Sequence, residues 1–175
     1  EEYTLLINGE EYGKTEKVVT TIYGLKPDTE YKITAVYAGK EYGPVEFKTD
    51  YEYVTLNVRE FGAYGDGEHD DTNAIQCAIM AAPKDSRVLV PEGVYKISSI
   101  FLKDNLNLEL AKGAVLSAFT ERDKFPILPG QIETYDEKDY YNLGTWEGNP
   151  LDMFSAIVCG INCSNVTITG EGTID

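Results

Sequence analysis

The sequence is short of positive charge and of long apolar runs. It carries 15 Lys or Arg against 30 Asp or Glu in 175 residues, which gives a formal net charge of −15 at pH 7. Binding to nucleic acid depends on clustered positive charge, so this balance excludes a general nucleic-acid-binding surface. No apolar run approaches the roughly 20 residues that a membrane-spanning helix needs. We therefore expect neither nucleic acid nor a membrane as a partner.

Cysteine and histidine are also scarce. The three cysteines, Cys77, Cys159 and Cys163, form no pattern typical of a disulfide framework. A zinc site would need further Cys or His ligands, which His69, the one histidine of the chain, cannot supply. We predict buried free thiols, and we expect neither a metal nor an organic cofactor.

Residues 1–50 show the alternation of apolar and polar positions that predicts short antiparallel strands joined by tight turns. An L-x-P-x-T-x-Y pattern then leads into a strand and ends at Tyr31. This pattern resembles the second half of a fibronectin type III domain, in which the tyrosine bonds back to the backbone at a corner. The resemblance implies a partial fibronectin type III domain over residues 1–50, with its first strands upstream of Glu1.

The segment FGAYGDGEHDDTNAIQCAIM, residues 61–80, joins glycine-rich turns to a helical pattern. Aliphatic residues recur at helical spacing after the acidic pair, and Pro83 ends the run. Asp70 and Asp71 would stand at the start of this helix, where a carboxylate accepts hydrogen bonds from unpaired backbone N–H groups. We predict that the pair is a structural helix cap and that His69 is a solvated turn residue.

Two chemical interpretations of Asp70 and Asp71 remain beside the cap. A calcium loop would need oxygen ligands in regular alternation and a closing glutamate, which D-G-E-H-D-D lacks. A glycosidase acid/base pair needs its carboxyl groups roughly 5 to 9.5 Å apart on either side of a sugar. Adjacent residues can meet that distance, although at a helix start they would be helping to close the terminus.

After the helix, short apolar strands alternate with turns from residue 87 onward. Each strand places only two or three aliphatic side chains inward, so that none of them forms a core alone. Stacked as turns of a solenoid, such units bury each other's apolar faces, and a preceding helix covers the open end of the stack. The strand-like segments are RVLV (87–90), VYKI (94–97), SIFL (99–102), NLNLEL (105–110) and INCSNVTITGEGTID (161–175).

The sequence of the second region resembles the pectin-lyase-like right-handed β-helix. The motif F-G-A-x-G-D-G-x-x-D-D-T-x-A-I-Q-x-A-I (61–79) matches the opening of that family, and V-P-x-G-x-Y (90–95) and L-x-L-x-x-G-A-x-L (108–116) continue it. The closing N-V-T-I-T-G-E-G-T-I-D (165–175) and W-E-G (146–148) are similar to glycoside hydrolase family 28, the polygalacturonases. The implied fold is all-β: half a fibronectin sandwich, then the capping helix and first coils of a β-helix over residues 51–175.

What the resemblance implies is inverting, exo-acting hydrolysis of α-1,4-linked galacturonic acid in pectin, polygalacturonate or oligogalacturonides, by a secreted or periplasmic bacterial protein. The family's N-T-D, D-D, G-H-G and R-I-K motifs are not matched in their proper setting. We therefore expect no catalytic residue in this span, no activity of the segment alone, and the rest of the β-helix downstream. Alternatives are another β-helix polysaccharide hydrolase or lyase, or a non-catalytic carbohydrate-binding module of the tail-spike kind.

Residues 117–153 form a stretch too long for a plain turn, and long loops are often functional. Its aromatic residues would stack against sugar rings, and two charged residues would bond hydroxyl or carboxylate groups. The alternative is that the aromatics pack the loop onto the wall of the β-helix. The predicted substrate-binding residues are Arg122, Tyr140, Tyr141, Trp146 and Glu147.

Overall fold

A computed structural model describes residues 1–132 and 141–175, except for the side chain of Tyr141. The chain divides into two compact units, Glu1–Tyr53 and Val54–Asp175. Both are built mainly of β-strands, and α1 (Thr72–Ala81) is the one α-helix among the described residues.

The first unit is a four-stranded antiparallel sheet in the order β2-β1-β3-β4. The turn between the first two strands is Asn8-Gly9, whose φ angles of 53° and 87° suit the two-residue hairpin turns that this dipeptide predicts. Its strands are β1 (Tyr3–Ile7), β2 (Glu10–Thr15), β3 (Glu30–Tyr37) and β4 (Lys40–Lys48).

Tyr31 fastens a corner of this sheet. Its hydroxyl oxygen accepts a hydrogen bond from the backbone N–H of Lys26 at 2.8 Å, which is the contact that the L-x-P-x-T-x-Y pattern predicts. Within Glu1–Tyr53, all of which is described, Leu5 is the only buried residue, and Val45 is 65% exposed. This unit is therefore one sheet with very little core of its own, and its assignment to a fibronectin type III domain stays a prediction.

The second unit is a stack of coils. Its wall strands form three parallel sheets, in the orders β19-β10-β7-β5, β20-β11-β8-β6 and β18-β9, and the chain visits the three sheets in turn. The predicted β-helix is confirmed. The wall strands are β5 (Thr55–Asn57), β6 (Asp66–Asp70), β7 (Arg87–Val90), β8 (Gly93–Ile97), β9 (Ile100–Phe101), β10 (Asn107–Leu110), β11 (Ala114–Ala118), β18 (Val158–Cys159), β19 (Thr167–Gly170) and β20 (Thr173–Ile174).

Among the described residues between β11 and β18, six shorter strands interrupt the third coil and pair antiparallel with one another. We call residues 127–154 the arm. Its described strands are β12 (Ile127–Leu128), β13 (Gln131–Ile132), β14 (Tyr141–Asn142), β15 (Thr145–Trp146), β16 (Asn149–Pro150) and β17 (Met153–Phe154). Two 3-10 helices, η1 (Val58–Phe61) and η2 (Arg122–Lys124), complete the described elements.

The core of the coils is a ladder of aliphatic side chains. Leu108 lies in register with Val88 on one neighbouring strand and with Ile168 on the other. Val88 and Leu108 are fully buried, and so is Tyr95 in the second sheet. Burial of a side chain of this size contributes roughly 1.5–3 kcal/mol, so stacking the coils supplies what a single coil lacks.

Helix α1 packs into this core with the face that its periodicity predicted: Ile75, Ala78 and Ile79 are fully buried in the shared cluster. Gln76 also acts at the edge of the third sheet. Its side-chain oxygen accepts from the N–H of Phe101 at 2.7 Å, and its amide nitrogen donates to the Phe101 carbonyl at 3.0 Å. A side-chain amide thus makes the two hydrogen bonds with β9 that another strand would otherwise make.

Candidate functional site

Asp70 and Asp71, the acidic pair before α1, both make structural hydrogen bonds, but only Asp70 bonds the start of the helix as predicted. Asp70 Oδ1 accepts from the N–H of Thr72 at 3.0 Å, a bond to the first residue of the helix. Asp71 occupies the N-cap position, but its side chain makes no capping bond to the helix. Its φ of −93° and ψ of 2° differ from the extended backbone usual at this position, which directs the carboxylate away from the helix start.

Asp71 instead fixes the glycine-rich turn that precedes it. Its two carboxylate oxygens accept from the N–H groups of Tyr64, at 2.6 Å, and Gly65, at 2.9 Å, and the residue is fully buried. The predicted cap is wrong for the side chain of Asp71. Because both oxygens are occupied inside the protein, this carboxylate is not available to a sugar or an ion.

His69 is exposed to solvent, as predicted, and its ring also contacts two neighbouring side chains. Its Nδ1 lies 2.7 Å from Asp66 Oδ2, and its ring stacks on Tyr64 with centroids 4.1 Å apart. The backbone N–H groups of His69 and Glu68, together with the His69 ring, lower the pKa of Asp66 from 3.8 to about 2. A carboxylate that stays ionised in this way is a poor general acid at neutral pH.

The three cysteines differ in their exposure to solvent. Cys159 is buried and Cys163 is half-buried, while Cys77 is exposed on the outer side of α1. The prediction of a buried thiol is wrong for Cys77, because Ile75 and Ala78 supply the inward face of that turn. Within residues 1–132 and 141–175, no three His, Cys, Asp or Glu side chains are grouped as metal ligands.

Trp146 stands at the tip of a hairpin in the arm. It pairs with Asn149 across the two-residue turn Glu147-Gly148, whose φ angles are 50° and 84°. The indole is 70% exposed, and Glu147 beside it is exposed as well. The alternative in which the loop aromatics pack onto the wall therefore does not describe Trp146. An exposed flat ring next to a carboxylate is suited to stack on a sugar and to bond its hydroxyl groups.

The remaining predicted contacts are not assembled around this hairpin. Arg122 is exposed in η2, and among the described residues no hydrogen bond or ion pair joins it to Trp146 or Glu147. Tyr140 lies outside the described residues. Tyr141 takes part in β14 through its backbone, where it pairs with Ile132.

Residues that the sequence analysis did not single out hold this region together. Gly130 and Asp152 meet at the base of the arm, where Gly130 N–H donates to Asp152 Oδ1 at 2.9 Å. Neither residue belongs to a motif, and the strands they organise are only two residues long. The one local signal is the glycine itself, in the stretch P-G-Q.

Comparisons with known proteins agree with this fold. Residues 55–112 match the family model described as rhamnogalacturonase A/epimerase, pectate lyase-like. The chain is 31% identical over 164 residues to an exo-poly-alpha-D-galacturonosidase of Dickeya chrysanthemi, covering 87% of this chain and 25% of that protein. It thus spans about a quarter of the length of that curated relative.

Two solved structures are similar as well. The family 28 exopolygalacturonase of Yersinia enterocolitica superposes with a TM-score of 0.62 at 26% identity, covering 99% of this chain and 36% of that one. A hyperthermoactive exopolygalacturonase of Thermotoga maritima gives a TM-score of 0.55 at 31% identity, covering 69% of this chain and 24% of that one.

The parallel coils and the family match define a pectate-lyase-like β-helix protein. Within that class, the relatives in Dickeya, Yersinia and Thermotoga show that the chain is similar to the polygalacturonases of glycoside hydrolase family 28. Among the described residues, no helix has the length and apolar character required to span a membrane.

Proposed function

We propose that this chain is the N-terminal portion of an inverting, exo-acting polygalacturonase that hydrolyses α-1,4-galacturonosyl linkages of pectin or polygalacturonate. The likeness to the Yersinia enterocolitica exopolygalacturonase over 99% of the chain is the observation that carries the proposal. The Dickeya and Thermotoga relatives, both named for the same exo action, support it.

The catalytic aspartates of the proposed reaction lie outside these 175 residues. An inverting glycosidase needs an acid and a base roughly 6.5–9.5 Å apart, with a water between the base and the sugar. Asp71 is buried with both oxygens bonded, and Asp66, whose pKa is about 2, is ionised at neutral pH and therefore does not serve as the acid. This chain therefore supplies the closed start of the β-helix and the arm, and further coils supply the chemistry.

Trp146 is the proposed substrate contact within the chain. Its indole stacks on the apolar face of a galacturonate ring, and Glu147 bonds hydroxyl groups at the edge of that ring. The net charge of −15 repels a polyanion, so a local cation has to meet the sugar carboxylate, and Arg122 is the proposed one. Tyr140 and Tyr141 are proposed as further stacking residues. Pectin is an extracellular polymer, which is why a secreted or periplasmic location follows from this function.

The test uses the protein that contains these residues, incubated with polygalacturonate. Hydrolysis releases reducing ends without the 4,5-unsaturated absorbance that a lyase produces, and an exo enzyme releases small products from the start. Unsaturated product would favour the other β-helix enzymes. Retention on polygalacturonate with no turnover would favour a carbohydrate-binding module, and in either case the hydrolase proposal fails.

A further inference from the structure

One glycine holds both strands of the Trp146 hairpin. The carbonyl oxygen of Gly130 accepts from the N–H groups of Leu143, at 3.0 Å, and Gly144, at 3.2 Å, just before β15. Its own N–H donates to Asp152 Oδ1, just after β16. The incoming and outgoing sides of the hairpin are therefore both tied to the buried Gly130, in addition to the direct bond from the Leu151 N–H to the Gly144 carbonyl at 3.0 Å.

This residue has to be glycine for a steric reason. A Cβ built on Gly130 would lie 2.2 Å from the backbone nitrogen of Leu151 and 2.7 Å from its carbonyl carbon, distances that real Cβ atoms do not show. Because the obstruction is backbone, no change of rotamer relieves it. A larger residue at this position has to push the backbone of Leu151 away from residue 130.

The base of the arm is also joined to the wall of the β-helix. The hydroxyl groups of Ser155 and Ser99 lie 2.6 Å apart, and both residues are buried. The N–H of Ser155 donates to the carbonyl of Pro126 at 2.9 Å. The pairing of β12 with β17 follows directly on these bonds and leads to Gly130 and Asp152, so the wall, the base of the arm and the hairpin are joined by successive backbone and side-chain contacts.

We propose that Gly130 and Asp152 are positioning residues that fix the direction of Trp146 for a uronic acid ring. The inference rests on the proposed function, in which Trp146 stacks on galacturonate. Neither residue touches the sugar; each acts through the hairpin. Stacking requires the ring plane to face the sugar, so a hairpin that rocks on its base presents the indole correctly for only part of the time.

The experiment uses intrinsic fluorescence, because Trp146 is the one tryptophan of the chain. The variants are Gly130→Ala, Asp152→Ala and Asp152→Asn. The last keeps a side-chain oxygen that can accept from the Gly130 N–H. Gly160→Ala is the matched control, since its Cβ would meet only Leu102 Cδ1 at an ordinary 3.7 Å. Time-resolved anisotropy without sugar measures the local motion of the indole, and titration with trigalacturonate measures affinity.

We expect Gly130→Ala and Asp152→Ala to increase the amplitude of fast indole motion and to weaken trigalacturonate binding about five- to tenfold. Asp152→Asn and Gly160→Ala should match the unmodified protein in both measurements. Far-UV circular dichroism and the melting temperature of the β-helix show whether a variant has lost more than the hairpin. If Gly130→Ala unfolds the whole unit, the Asp152→Ala and Asp152→Asn pair decides the question.

The two proposals fail in different ways. Unchanged indole motion in both Gly130→Ala and Asp152→Ala overturns the positioning role, whatever happens to sugar binding. A second outcome is increased indole motion in Gly130→Ala and Asp152→Ala with unchanged trigalacturonate affinity. If Trp146→Ala also binds trigalacturonate normally, Trp146 is not a substrate contact, although Gly130 and Asp152 still fix the hairpin.

Discussion

The segment before α1 and the arm differ in whether their polar and aromatic side chains are bonded inside the protein or exposed to solvent. In residues 61–71 the carboxylates of Asp70 and Asp71 accept backbone hydrogen bonds. Two residues that resemble a catalytic pair therefore have a structural role. In the arm the backbone is tied by Gly130 and Asp152, and Trp146 is left 70% exposed. A side chain is available for function when its hydrogen-bonding and packing capacity is not already used inside the protein.

The strongest test of this contrast replaces Asp71 by alanine. The change removes the carboxylate that accepts from the N–H groups of Tyr64 and Gly65, and the loss of each such bond costs about 1–3 kcal/mol. We expect the free energy of unfolding of the second unit to fall by about 2–4 kcal/mol in urea titrations. Asp70→Asn, as the control, should cost well under half as much. Loss of trigalacturonate binding at unchanged stability would identify Asp71 as a site residue.

A smaller loss is expected for Gln76→Ala. This variant removes two hydrogen bonds to the backbone of Phe101 at the edge of β9, and we expect about 1–2 kcal/mol of destabilisation. Hydrogen exchange should show the Phe101 amide losing protection while Leu108 in the core keeps it. Equal protection of Phe101 in both proteins would mean that the side-chain amide does not replace a strand there.

The next effect depends on pH. The pKa of Asp66 is lowered from 3.8 to about 2 in the folded protein, so its stabilising contribution is complete above pH 3.8 and is lost as the pH falls towards 2. We expect Asp66→Asn to flatten the decrease of unfolding free energy over this interval, measured by urea titration at several pH values. Identical pH profiles would show that the bonds from His69 and Glu68 do not hold the carboxylate ionised.

The smallest effect on folding is expected at the residue most important for binding. Trp146→Ala removes an indole that is largely in solvent, so the unfolding free energy should change by no more than about 0.5 kcal/mol. Trigalacturonate affinity should nevertheless fall at least tenfold. Tyr12→Ala, which also removes an exposed aromatic ring, 43% exposed, serves as the control and should leave affinity unchanged.

Local patterns predicted the wall and the helix well. The alternation in RVLV and NLNLEL and the spacing of Ile75, Ala78 and Ile79 each depend on a few neighbouring residues, and the structure confirms them. The direction of the Asp71 side chain could not be predicted in this way, because it depends on one backbone ψ angle. The exposure of Cys77 follows from the rotation of α1 about its axis, which the apolar spacing defines only approximately.

The arm was predicted as a long functional loop and not as paired strands. Strands of two residues, such as β15, are too short to show any periodicity. Their pairing depends on the close approach of Gly130 to Leu151, which are 21 positions apart and share no recognisable motif. Contacts of this kind are set by the folded chain as a whole, so the sequence indicated the candidate residues but not the geometry that presents them.

The Gln76 amide closes one edge of the third sheet. At this edge, β9 meets a side chain that makes the two hydrogen bonds of a peptide group at a single residue and then ends, so a strand from another molecule finds no row of free donors and acceptors there. Exposed strand edges are templates for edge-to-edge aggregation. One glutamine therefore protects β9 from this kind of association.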